Sequence, residues 1–170
     1  MRWIKAPWSW LWFWLCFAAP LQAEDLVGVV YVSGGDLHTE THIDVDKSHQ
    51  GPKLCPGELD YRIRHLSQLQ VRTVGTWQLL QGGVKDCFAA SSFQVLRMVG
   101  GREAAVGRLS AAADGGYLLT GNDGKIVRLA DLTPRLRQMM GEQVILDLKP
   151  MANPAIAEVN KVVVSYRRYP

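Results

Sequence analysis

The segment DLHTETHIDVDKSHQGPKLC, residues 36–55, holds His38, His42 and His49 among the carboxylates of Asp36, Glu40, Asp44 and Asp46. Imidazole and carboxylate together are ligands for divalent cations. One reading is therefore a weak divalent-metal site formed by His38, His42, His49 and Asp44. Period-two spacing supports a second reading. Leu37, Thr39, Thr41, Ile43 and Val45 fall on one side, and His38, Glu40, His42, Asp44 and Asp46 on the other. That is the alternation of a half-buried strand. The later segment ELDYRIRH reads as its partner strand and offers Arg62 and Arg64 for cross-strand pairing with the acids. The polar face so formed, His38, Glu40, His42, Asp44, Arg62 and Arg64, is a candidate surface for a protein partner.

No nucleophile elbow, paired-histidine zinc motif or phosphate-binding loop is present, so no catalytic residue and no cofactor are expected. Aromatic side chains offer different chemistry. Tyr61, Trp77, Tyr166 and Tyr169 are candidate stacking platforms for a small ligand or an oligosaccharide.

The compartment is legible upstream. MRWIKAP is basic, WSWLWFWLCFAA is apolar, and PLQA ends in Ala23, a small residue suited to cleavage. This is the pattern of a secretory signal peptide, expected over residues 1–23. The apolar run is short for a membrane span of about 20 residues. Membrane attachment is thus expected only if the segment stays uncleaved. Cleavage removes Arg2 and Lys5, and the formal charge falls from +3 to +1. A near-neutral chain gives no electrostatic reason to expect nucleic acid as a partner. Cys55 and Cys87 then remain, and an even count in an exported chain predicts one disulfide. Two free thiols or a redox pair are the alternatives.

These residues must be positioned by strands, and the chain reads twice. Val27-Gly28 matches Val106-Gly107, and Gly-Gly-x-Leu-x-Thr occurs at Gly34–Thr39 and Gly115–Thr120. Each pass suggests five short strands rich in β-branched residues, with glycine clusters between them. In the first pass YRIRHLSQL is expected to be a strand. In the second, Thr133 suits a helix cap, Pro134 its first position and Gly141 its end. Leu136, Met139 and Met140 recur between them at helical spacing, which places a short helix between the third and fourth strands. Five strands with a helix there is the order of an OB-fold, a small Greek-key barrel.

Through the Val-Gly openings, the Gly-Gly hairpins, LADLTPRLRQMMGEQV and the closing KVVVSY, the chain resembles small exported bacterial proteins with OB-like domains. The resemblance implies a mostly β fold of two tandem five-stranded barrels, residues 24–101 and 102–170. It implies a binding role and carries over no functional residue. The expectation is a non-enzymatic periplasmic protein that contacts another periplasmic or envelope protein. A small-ligand or oligosaccharide binder and a weak metal binder are the alternatives.

Overall fold

The computed structural model describes residues 23–35, 38–46, 51–79, 82–150 and 161–170. The expected export segment up to Gln22 and the candidate ligand His49 lie outside them. Among the described residues no helix is long and apolar enough to cross a membrane. Strands dominate, as the β-branched composition requires, and they form two sheets.

The first sheet contains β1 (Glu24–Ser33), β2 (Glu40–Asp44), β3 (Gln70–Leu79) and β4 (Lys85–Arg97), in the order β2-β1-β3-β4. Every pairing in it is antiparallel. Alternate residues turn inward: Val30, Ile43, Val71, Phe88 and Val95 are buried.

One expected strand is a helix. Residues 58–64 form α1 (Glu58–Arg64). Tyr61, Arg62, Ile63 and Arg64 alternate with period two, which suggested the strand. Leu59, Ile63 and Leu66 recur at helical spacing, and Ile63 and Leu66 are fully buried against the first sheet. Charge decides the competition. Glu58 and Asp60 stand in the first turn and Arg62 and Arg64 in the last, each complementing the helix dipole. Asp60 and Arg64 also pair at i,i+4, with Arg64 Nη2 2.7 Å from Asp60 Oδ2. On a helix Arg62 and Arg64 diverge, so they do not form the shared cross-strand face expected of them.

Among the described residues, 24–101 thus hold four strands where five were expected, but the sheet's two edges are bridged. Lys53 pairs antiparallel with His42 of β2, and Leu54 pairs parallel with Phe88 of β4. The Ile43 and Leu54 amides donate to Pro52 O and Thr41 O on one side, at 2.9 and 2.8 Å. On the other, the Phe88 and Cys55 amides donate to Lys53 O and Phe88 O at 2.8 and 3.0 Å. Cys55 and Cys87 form a disulfide at this same seam, with Cα atoms 4.9 Å apart.

The second sheet contains β5 (Ala104–Ala111), β6 (Tyr117–Gly121), β7 (Ile126–Leu129), β8 (Gln143–Pro150) and β9 (Lys161–Arg168). Its order, β5-β6-β7-β9-β8, closes on itself through β5–β8 pairing. All neighbours are antiparallel except β7 and β9, which meet in parallel at Leu129 and Lys161. Between β7 and β8 lies α2 (Pro134–Arg137). Thr133 Oγ1 accepts the Leu136 amide at 3.3 Å and caps it. Leu132, Leu136 and Met139 plug the second core.

The Val-Gly pairs have a steric purpose. A Cβ on Gly28 would stand 2.5 Å from Asp44 O, and one on Gly107 2.5 Å from Thr120 O. Only glycine lets those strands approach so closely. Gly28 lies opposite Val71, and Gly107 opposite Val144, so the glycine of each Val-Gly faces the valine of a Gln-Val. The two sheets also share a core, because Ile145 of β8 is buried among first-sheet residues with Val106 and Tyr169 packed nearby. Arg102, on the β4–β5 connection, grips the fully buried Asp147 of β8, its Nε 2.8 Å from both carboxylate oxygens.

Candidate functional site

The bridged seam supports a polar cleft of about 370 Å³ on the first sheet, lined among others by His38, Thr39, Glu40, Lys53, Asp60 and Arg64. Three segments meet there. The β2 strand buries Thr41 and Ile43 and turns Glu40 outward, as period two requires. Residues 53–56 cross beside it along the disulfide, and α1 supplies Asp60 and Arg64.

Opposite charges pair across the cleft. Lys53 Nζ lies 2.8 Å from Glu40 Oε1. That hydrogen bond and its charge hold the Glu40 carboxyl below its ordinary range and raise the Lys53 ammonium above its own. His42 flanks the pair, with Nε2 3.6 Å from Glu40 Oε2 and Nδ1 3.1 Å from Gly51 O. Arg64 bonds Asp60 and reaches Thr41 Oγ1 at 3.4 Å. The side chain of Asp60 is only 8% exposed. Its Oδ2 is held by Arg64, while Oδ1 is buried with no hydrogen-bond partner among the described residues. The charges of Glu40, Lys53, Asp60 and Arg64 cancel, but their spare donors and acceptors do not. The cleft is equipped to recognise hydrogen-bonding groups.

The structure brings His38, Glu40 and Arg64 together here and places His42 beside them. Asp44 is buried at the end of β2. Arg62 turns the other way, donates to Pro170 O from Nε and Nη2 at 3.3 and 3.1 Å, and lies over the Phe93 ring. Among the described residues no three His, Cys, Asp or Glu side chains gather as metal ligands, so His38, His42 and Asp44 do not converge. Lys53 and Asp60 are the members of the cleft that sequence reasoning passed over. A helical reading of ELDYRIR exposes the Asp60–Arg64 pair at once.

The four candidate stacking rings have different surroundings. Tyr61 is 62% exposed and meets His65 edge-on. Trp77 packs edge-on against Phe88, carries the Lys85 ammonium 4.2 Å above its ring and donates to Glu24 Oε2 at 2.8 Å. Tyr166 packs in the second core, and Tyr169 stacks on Phe93 with centroids 5.8 Å apart.

Comparison of the chain with protein-family models, curated proteins and solved structures gave no match.

Proposed function

We propose that the mature protein is an exported, non-enzymatic binding protein of two OB-like units that engages a periplasmic or envelope protein through the cleft of its first unit. The fold reading rests on paired details. The strand order, the parallel β7–β9 contact and the helix after β7 support an OB-like reading of the second unit. The first unit repeats them in reduced form: Lys53–Leu54 stands where a third strand would, its contact with β4 is parallel, and α1 follows it. Gly28 with Val71, and Gly107 with Val144, hold equivalent registers. A disulfide is compatible with an oxidising compartment, and the basic, apolar, small-residue order of residues 1–23 supports export with cleavage after Ala23.

The observation that carries the partner reading is the convergence of His38, Glu40, Lys53, Asp60 and Arg64 from three chain segments onto one cleft. OB barrels commonly bind through the face of their second and third strands, and this cleft lies over β2 and the Lys53–Leu54 crossing. The buried Asp60 carboxylate and its arginine fix a hydrogen-bonding pattern in a desolvated place, where complementarity gives specificity. The experiment is affinity recovery from the protein's own periplasm with the tagged mature chain. Glu40→Lys and Arg64→Glu should each lose a partner protein that wild type and Arg135→Glu retain. Identical recovery by all four chains would end this reading.

A further inference from the structure

A second concavity, of about 470 Å³, opens where the two sheets meet, away from the cleft of the first sheet. Its apolar wall is drawn from both: Val95 and Phe93 of β4, Val106 of β5, Leu119 of β6, Leu148 of β8 and Tyr169. Small-ligand sites typically enclose about 300–1,000 Å³ with such walls and a few polar groups at the mouth. One wall is held in place before any ligand arrives. Tyr169 stacks on Phe93, its amide donates to Gln143 O at 3.1 Å, and the next residue, Pro170, is held through its carbonyl by Arg62. A fixed wall reduces the entropy lost on binding.

The crevice is lined by two ammonium groups, Lys125 and Lys161, and two carboxylates, Glu103 and Asp123. Asn122 Oδ1 accepts from Gln143 Nε2 at 3.1 Å, and Asp123 Oδ1 accepts the Lys125 amide at 3.0 Å, which fixes the Asp123 side chain without neutralising it. Glu103 belongs to the β4–β5 connection. Lys125 and Lys161 flank β7, the first just before it and the second opposite its last residue, Leu129. Neither ammonium has a carboxylate partner among the described residues. Lys161 is half-buried, and a partly desolvated cation without a counter-charge is an energetic cost that a bound anion removes.

We propose that this inter-sheet crevice binds a small amphipathic anion, its apolar body against Val106, Leu119 and the Phe93–Tyr169 stack and its acidic group at Lys161, with Lys125 assisting. The site is independent of the partner cleft.

The probe is 8-anilinonaphthalene-1-sulfonate, titrated by fluorescence into the full mature chain, with uncharged N-phenyl-1-naphthylamine as its companion. Saturable binding at one site per chain is expected. Loss of one charge-assisted hydrogen bond in Lys161→Ala should weaken the sulfonate about tenfold, while leaving the neutral probe unchanged. Val106→Phe, which fills the crevice, should weaken both probes, and Glu40→Lys neither. Non-saturable binding, or equal sulfonate affinity in wild type and Lys161→Ala, would overturn the proposal. So would an unaltered response in Val106→Phe chains that keep the wild-type circular dichroism spectrum.

Discussion

Removing the Cys55–Cys87 bond attacks the seam that supports the candidate cleft. The cysteines are 32 residues apart in sequence, and loop-closure entropy for a loop of that size corresponds to about 4 kcal/mol of lost stability. Lys53–Leu54 is also held by the burial of Leu54 in the core that contains Phe88 and Val95 of β4. Two backbone hydrogen bonds cross that contact, those between Phe88 and Lys53 and between Cys55 and Phe88. At about 1 kcal/mol each they are worth half the covalent term. For a chain of this size, about 4 kcal/mol corresponds to a fall in melting temperature of roughly 8–15 °C. The assay is thermal unfolding by calorimetry or circular dichroism on the oxidised chain, the reduced chain and Cys55→Ser/Cys87→Ser. Thiol titration confirms reduction. Hydrogen exchange should locate the damage, with the amides of Cys55 and Phe88 losing protection before those of β8. A melting temperature unchanged by verified reduction would refute the reasoning, because the seam would then be held by something other than the bond.

Other outcomes follow from single contacts. Gly28→Ala and Gly107→Ala each push a methyl to 2.5 Å from a carbonyl oxygen and should destabilise by about 2 kcal/mol in urea unfolding; a loss below 0.5 kcal/mol, by the usual scale of surface changes, would contradict the close-approach argument. Arg64→Ala leaves the buried Asp60 carboxylate uncompensated and should cost about 3 kcal/mol, whereas Asp60→Asn, which removes the buried charge itself, should cost less. Equal losses in urea would contradict a desolvated carboxylate. Lys53 holds Glu40 below the ordinary value near 4.5, so the pair's contribution is complete above that value and disappears as pH falls through the lowered one. Lys53→Met should raise the Glu40 titration midpoint in carboxyl NMR, and an unmoved midpoint would separate the two groups.

Legibility differed from element to element. β1 and β9 announced themselves, because runs such as VVYV and VVVSY suit a pleated, half-buried surface and little else. The disulfide followed from cysteine number and the export pattern. The segment 58–64 carried two periods at once, and the alternation of Tyr61, Arg62, Ile63 and Arg64 hid the helical spacing of Leu59, Ile63 and Leu66. Charge placement along the helix resolves that conflict, and it is as visible in the sequence as the alternation is. Lys53–Leu54 was not legible, since two residues carry no period and their bridging role arises only when β2 and β4 come within reach. The recurrence of Val-Gly was readable, but its cause, a carbonyl where a methyl would sit, required the packed strands. The candidate cleft was partly foreseen through His38, Glu40 and Arg64. Asp60 was hidden by the strand reading, and Lys53 lies beyond the alternating residues 37–46 that marked the polar face.

The most direct test places a photo-crosslinking benzophenone side chain at His38, inside the cleft, in cells that export the protein. A defined protein adduct at His38, absent when the same group replaces Arg135 on α2 and abolished by Arg64→Glu, is the result this account predicts. No adduct at His38 beyond the level seen at Arg135, in chains that are exported and oxidised, would contradict it.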